Sequence, residues 1–151
     1  SNIGQTITLT IGGIMSAPTC QSDLTFIFSE DTNSLSDGVI AISATHSTAP
    51  VANINVTRDI LDPAAPVLIS PANGATVITQ SFDVSGTCEI GATVSISGSG
   101  INGSFNKVCA GDGTFVMPIK ITSGVGTKNF DFSQTDEAGN ISTSIARTFE
   151  Y

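Results

Sequence analysis

Apolar side chains recur in this sequence at every second position over short runs. Thr6-Ile7-Thr8-Leu9-Thr10-Ile11, Thr93-Val94-Ser95-Ile96 and Asn129-Phe130-Asp131-Phe132 are the clearest of them. Period-two alternation places one face of a strand on a core and the other in water. Between the runs stand turn formers: Gly12-Gly13, Asp37-Gly38, Asn73-Gly74, Asn102-Gly103, Gly111-Asp112-Gly113, Gly124-Val125-Gly126 and Gly139-Asn140. Short strands with such punctuation predict an all-β, antiparallel sandwich or barrel. No stretch carries the 3.6-residue period of a helix, and Thr, Ser, Ile and Val dominate over the good helix formers. The inward positions of the alternating runs nominate Phe82, Val84, Val94, Ile96, Phe115, Phe130, Phe132 and Ile145 as core.

The pattern also repeats. Ile3-Gly4-Gln5-Thr6-Ile7-Thr8-Leu9 aligns with Ile90-Gly91-Ala92-Thr93-Val94-Ser95-Ile96, an offset of 87. Cys20 with Asp23, Thr25 and Phe26 aligns with Cys109, Asp112, Thr114 and Phe115, an offset of 89. Gly38 with Ile40, Ile42 and Thr45 corresponds more loosely to Gly126 with Phe130, Phe132 and Thr135. A period of 87 to 89 residues is the size of one small β-sandwich, so two copies of one unit are expected.

The boundary falls at Asp59-Ile60-Leu61-Asp62-Pro63-Ala64-Ala65-Pro66. Two prolines fix φ and remove donors, which predicts a short, stiff linker over 61–66. Residues 67–151 then form a complete unit, whereas 1–60 correspond only to the later part of one, without counterparts of 67–87. A sandwich lacking its first two strands leaves about three or four inward apolar side chains uncovered, each worth about 1.5–3 kcal/mol on burial. Three explanations stay open: a fragment of a longer array, completion by a strand from another chain, or a divergent smaller β-fold.

Composition narrows the classes. Thirteen acidic and five basic side chains give a formal charge of −8. Five scattered cations cannot neutralise a run of phosphates, which excludes nucleic acid and argues against anionic lipid. With 40% hydrophobic and 12% charged residues the chain is globular rather than an acidic disordered tail. No apolar run reaches the length of a membrane span, and Ser1 to Thr10 shows no signal-peptide pattern. Any export signal is expected to be cleaved or to lie outside this sequence.

The segments Asp62-Pro63-Ala64-Ala65-Pro66, Ile69-Ser70-Pro71-Ala72-Asn73-Gly74, Val84-Ser85-Gly86-Thr87-Cys88-Glu89-Ile90-Gly91-Ala92-Thr93-Val94, Asp112-Gly113-Thr114-Phe115 and Thr135-Asp136-Glu137-Ala138-Gly139-Asn140 together resemble tandem bacterial Ig-like repeats of large surface adhesins and secreted multidomain proteins. The resemblance covers 62–151, and 1–60 only as the later part of one repeat. It implies a sandwich used as stalk, spacer or adhesion module, with other repeats of its own or a neighbouring chain and a surface receptor as partners. The expectation is therefore a non-enzymatic structural or adhesive segment, secreted or on the cell surface. The alternatives are a fibre subunit assembled by strand exchange, hence a homo-oligomer, and an accessory module of a secreted hydrolase.

Candidate chemistry is sparse. Cys88 and Cys109 flank a hairpin, and in an oxidising compartment a disulfide between them would close a loop of about 20 residues and stabilise by roughly 3 kcal/mol. In a reducing compartment they would be free thiols. Cys20 aligns with Cys109, but the position aligned with Cys88 is Ser1, so Cys20 is expected to be unpaired. Asp59, Asp62, Asp136, Glu137 and Asn140 offer hard oxygen donors of the kind Ca²⁺ selects, without the EF-hand spacing. The competing reading makes them ordinary solvated turn residues. Gly98-Ser99-Gly100-Ile101-Asn102-Gly103 spells a dinucleotide fingerprint, but a strand-like segment comes next where a helix is required, so it is a hairpin loop. His46 is the only histidine, which leaves serine or cysteine catalysis without a base, and no tryptophan offers a sugar platform.

Overall fold

The computed structural model describes residues 3–47 and 49–151, and Ser1, the position aligned with Cys88, lies outside them. The described residues form twelve strands and no helix. The chain divides into two compact units, Ser1–Ile60 and Leu61–Tyr151.

The first unit contains β1 (Thr8–Ile11), β2 (Ile14–Ser16), β3 (Gly38–Thr45) and β4 (Ala52–Arg58) in one antiparallel sheet of order β2-β1-β3-β4. The β1–β2 hairpin turns on two glycines, Gly12 at φ +55° and Gly13 at φ +91°. Left-handed φ at both central positions is the tight hairpin geometry that matches strand twist, which non-glycine residues adopt at a cost. Ile7, Leu9, Cys20 and Ile40 are the buried apolar residues described on this unit.

The second unit contains β5 (Val67–Ser70), β6 (Ala75–Thr76), β7 (Ser81–Thr87), β8 (Thr93–Ser97), β9 (Phe105–Val108), β10 (Thr114–Lys120), β11 (Thr127–Thr135) and β12 (Ile145–Glu150). They build a three-stranded sheet, β10-β7-β5, and a five-stranded sheet, β6-β12-β11-β8-β9. Every pairing is antiparallel except the two-residue contact of β6 with β12. Alternation produces the core directly: β11 reads exposed-buried along Thr127 to Phe132, and β10 does so along its whole length. Of the eight expected core residues, Val84, Val94, Ile96, Phe115, Phe130 and Phe132 are buried. Phe82 and Ile145 are partly buried and pack against them. Met117, Ile119, Ile121 and Phe149 complete the cluster. The Phe149 ring, on β12, stands edge-on to Phe82 of β7 at 5.6 Å and lies 5.2 Å from Phe130 of β11. Aromatic contacts thus join the two sheets across the core.

The segment 61–66, expected as a linker, is built into the second unit. Pro63 and Pro66 are buried, and the Ala64 carbonyl accepts a hydrogen bond from the Gln134 side chain at 2.6 Å. Proline at these positions suits the segment because it brings no N–H that burial would leave unpaired.

The strand register adjusts the loosest part of the repeat alignment. Leu9 pairs with Ala44, and its counterpart Ile96 pairs with Phe132. Ala44 therefore stands where Phe132 stands, and Ile42 where Phe130 stands, an offset that keeps Gly38 on Gly126 but shifts by two residues the expected pairing of Ile40 and Ile42 with Phe130 and Phe132. Apolar identity at alternate positions cannot fix register by itself, since any even shift preserves the inward face.

Candidate functional site

The aligned cysteine turns reproduce one another bond for bond. In the second unit the Thr114 N–H and hydroxyl both donate to Asp112 Oδ1, at 3.0 and 2.7 Å. In the first, Thr25 donates to Asp23 Oδ1 at the same two distances. Ala110 N–H donates to Thr114 O at 2.9 Å and Gln21 N–H to Thr25 O at 2.8 Å; Cys109 N–H donates to Ala92 O at 2.8 Å and Cys20 N–H to Gln5 O at 2.9 Å. Position three of the turn is left-handed in both, Gly113 at φ +76° and Leu24 at φ +66°. The Thr hydroxyl and N–H hold the Asp23 and Asp112 carboxyls below the usual carboxylate range, against a small opposing effect of burial.

Beyond the turn the two units differ. After Asp112 the chain enters β10, whose residues 114–120 pair in register with β7. After Asp23 the corresponding residues 25–31 belong to no strand. Phe115 is 2% exposed and its counterpart Phe26 is 37% exposed. Phe28, opposite number of the buried Met117, is half-buried, and Glu30 replaces Ile119 and accepts a hydrogen bond from the Ser16 hydroxyl at 3.2 Å. A shallow cleft of about 600 Å³ opens elsewhere on this unit, beside Gly12, Leu35 and Ile40.

Cys88 and Cys109 are joined by a disulfide with Cα atoms 5.8 Å apart, at the ends of β7 and β9. The bond ties the three-stranded sheet to the five-stranded one. Cys20 is a free, buried thiol. Beside the disulfide, Gln134 is 2% exposed and accepts from Glu89 N–H while donating to Ala64 O. Glutamine at an inward position breaks the alternation of β11, and that polar break is the signal in the sequence that could have found it.

The acidic candidates are dispersed. Asp59 belongs to the first unit and Asp62 to the second. Asp136 uses both carboxylate oxygens within its own turn: Oδ1 accepts from the N–H groups of Gly139 and Asn140 at 2.7 and 2.8 Å, and Oδ2 from the Asn140 side-chain amide at 2.8 Å. Burial works against ionisation of Asp136, and these hydrogen bonds outweigh it, so the net shift is downward. Glu137 lies over Gly91, where an added Cβ would meet Oε1 at 2.9 Å. Among the described residues no three His, Cys, Asp or Glu side chains are gathered where they could hold a metal. His46 Nε2 is buried without a hydrogen-bond partner. No helix among the described residues is long and apolar enough to cross a membrane.

No protein-family model and no curated protein matches the chain. Among solved structures, its neighbours are bacterial adhesin and biofilm-protein domains. A Ca²⁺-stabilized adhesin with which an Antarctic bacterium binds ice is 18% identical over 98% of this chain, with a TM-score of 0.41. A 1.5-MDa bacterial ice-binding adhesin is 16% identical over 99% of it, with a TM-score of 0.40. The BSP domain of a biofilm-associated protein is 18% identical over 95%, with a TM-score of 0.41. The chain spans 39%, 52% and 24% of those three chains. Similarity at this level transfers no residue roles, so the functional reading rests on the chain's own features.

Proposed function

We propose that this chain is a non-enzymatic structural and adhesive segment of a secreted or cell-surface bacterial protein, built from Ig-like units in tandem. The observation that carries the reading is the repeated turn around Cys20 and Cys109, which shares its Cys, Asp and Thr positions, its left-handed third position and its hydrogen bonds across two compact units. Recurrence of one supersecondary unit along a chain is the organisation of stalks and arrays, whose length matters more than any single cleft. The order β10-β7-β5 against β12-β11-β8-β9 supports the Ig-like description, since the antiparallel strands alternate between two sheets as the chain crosses at β7–β8, β9–β10 and β10–β11. The disulfide and the low cation content fit an extracellular setting.

The test is mechanical. In single-molecule pulling of the full chain, the second unit should give a discrete unfolding event. Reduction should lengthen that event by about 7 nm, the reach of the 21 residues that Cys88–Cys109 locks away. Extension without a discrete event would overturn the role. Calcium is a separate proposal, supported only by oxygen donors sharing one turn and weakened by the full use of Asp136 within that turn. A melting temperature raised by excess Ca²⁺ relative to EDTA would establish it, and an unchanged one would remove it.

A further inference from the structure

Two Asn-Gly dipeptides, Asn73-Gly74 and Asn102-Gly103, stand exposed in turns of the second unit. Asparagine before glycine is the pairing most open to attack on itself, because a glycine nitrogen has no neighbouring Cβ to keep the side-chain amide carbon away. In Asn73-Gly74 both reacting groups are tied down. Asn73 Oδ1 accepts from the Thr148 N–H at 2.8 Å, and the Gly74 N–H donates to the Thr148 carbonyl at 2.7 Å. Electrophile and nucleophile are thus held by one residue of β12. Asn102-Gly103 has no such clamp. The Asn102 N–H donates to the Lys120 carbonyl at 2.8 Å, which anchors the chain just ahead of the dipeptide. Among the described residues, no hydrogen bond holds the Asn102 side chain or the Gly103 N–H. Gly103 stands at φ +118°, a conformation that glycine adopts freely.

We propose that Asn102 is a self-modification site, where the chain converts its own side chain with water as the only co-reactant. The Gly103 nitrogen, giving its proton to solvent, attacks Asn102 Cγ. The new N–Cγ bond closes a cyclic imide, the Cγ–Nδ2 bond breaks, and Nδ2 leaves as ammonia. Water then opens the imide at either carbonyl. One opening leaves aspartate; the other routes the main chain through Cβ and Cγ, giving isoaspartate and a backbone longer by one methylene. Nothing is oxidised or reduced. The place of Asn102 gives the longer backbone a consequence. Residues 98–104 lie along 120–122: Ile101 bridges Ile121, the Thr122 N–H donates to the Gly100 carbonyl at 2.9 Å, and Ile121 is fully buried in the core. The fit is close, since a Cβ on Gly100 would come within 2.7 Å of Lys128 Cβ. A seat this tight has no slack for an extra methylene, so isoaspartate at 102 loosens the loop from Ile121. The inference does not depend on the adhesive reading.

The test is incubation of the full chain in mildly alkaline buffer, followed by peptide mapping with tandem mass spectrometry, which tells the two sites apart. Asn102 should gain about one dalton, mostly as isoaspartate, at least about tenfold faster than Asn73, which reacts only when its turn opens. In concentrated guanidinium chloride Thr148 no longer holds Asn73-Gly74, so the two rates should converge. Equal rates in the native chain overturn the proposal, and so does reaction at Asn102 only after denaturation. Amide exchange at residues 120–122 should be faster in the aged chain than in the fresh one, and Asn102→Gln should age without that change. Unaltered exchange at 120–122 in chains carrying isoaspartate at 102 would refute the loosening.

Discussion

The Gln134 side-chain amide donates to the Ala64 carbonyl and accepts from Glu89, while its backbone N–H is taken by the Ser142 hydroxyl. Three separate stretches of the second unit meet on one residue, and this is how 61–66 becomes part of a sandwich. Gln134→Ala leaves a buried donor and acceptor without partners, so it should cost about 1–3 kcal/mol in urea unfolding of the full chain. Faster proteolysis near Ala64 should accompany it; an unchanged midpoint would mean that the latch contributes nothing. The Asp23 and Asp112 carboxyls carry a second residue-scale prediction. Their folded pKa values lie below the unfolded value, so their contribution is present above about pH 3.9 and fades as pH falls through the folded pKa. Carboxyl NMR titration should place both midpoints below the ordinary range, and Thr114→Val should return Asp112 towards it.

Elements are governed by what lies beside them. β10 contains Pro118 at its centre, opposite Asp83, which is compatible only with a strand whose other edge is free. Its place at the end of the order β10-β7-β5 meets that condition. The disulfide joins the ends of two elements in different sheets, across 21 residues. Replacing both partners, Cys88→Ser with Cys109→Ser, should lower stability by about 2–4 kcal/mol while leaving the strands in place, as read by denaturant unfolding with far-ultraviolet circular dichroism. Under denaturing, non-reducing conditions, alkylation should find one thiol per chain, Cys20, and after reduction it should find all three. The alternating runs made β8, β10 and β11 legible in advance. β6 was not, because two residues pairing in parallel with β12 have no periodic signal to read.

At the scale of the molecule the two units are unequal in what they bury. Among the described residues, only Ile7, Leu9, Cys20 and Ile40 are buried apolar residues of the first unit, whereas the second buries a continuous cluster from Val84 to Phe149. Each fully buried large apolar side chain stabilises by about 1.5–3 kcal/mol. The first unit should therefore open first in native-state hydrogen exchange, with amides of β1 and β3 exchanging at lower urea than those of β8 and β11. Coincident exchange in both sheets would contradict this ordering.

By itself the sequence determined that the chain is all-β, where most strands run, and that one turn is used twice. These come from local rules: side-chain alternation and the backbone limits of glycine and proline. It did not determine the two-residue register shift that puts Ala44 in the place of Phe132, nor the capture of 61–66 by Gln134, nor the exposure of Phe26 where Phe115 is buried. Each of these depends on which groups become neighbours across long sequence separations. Alternation is unchanged by a shift of two, proline does not say whether water or protein surrounds it, and Phe26 reads like Phe115 as long as its neighbours are unknown. Only the tertiary structure decides those three, because burial is a property of the neighbours and not of the residue.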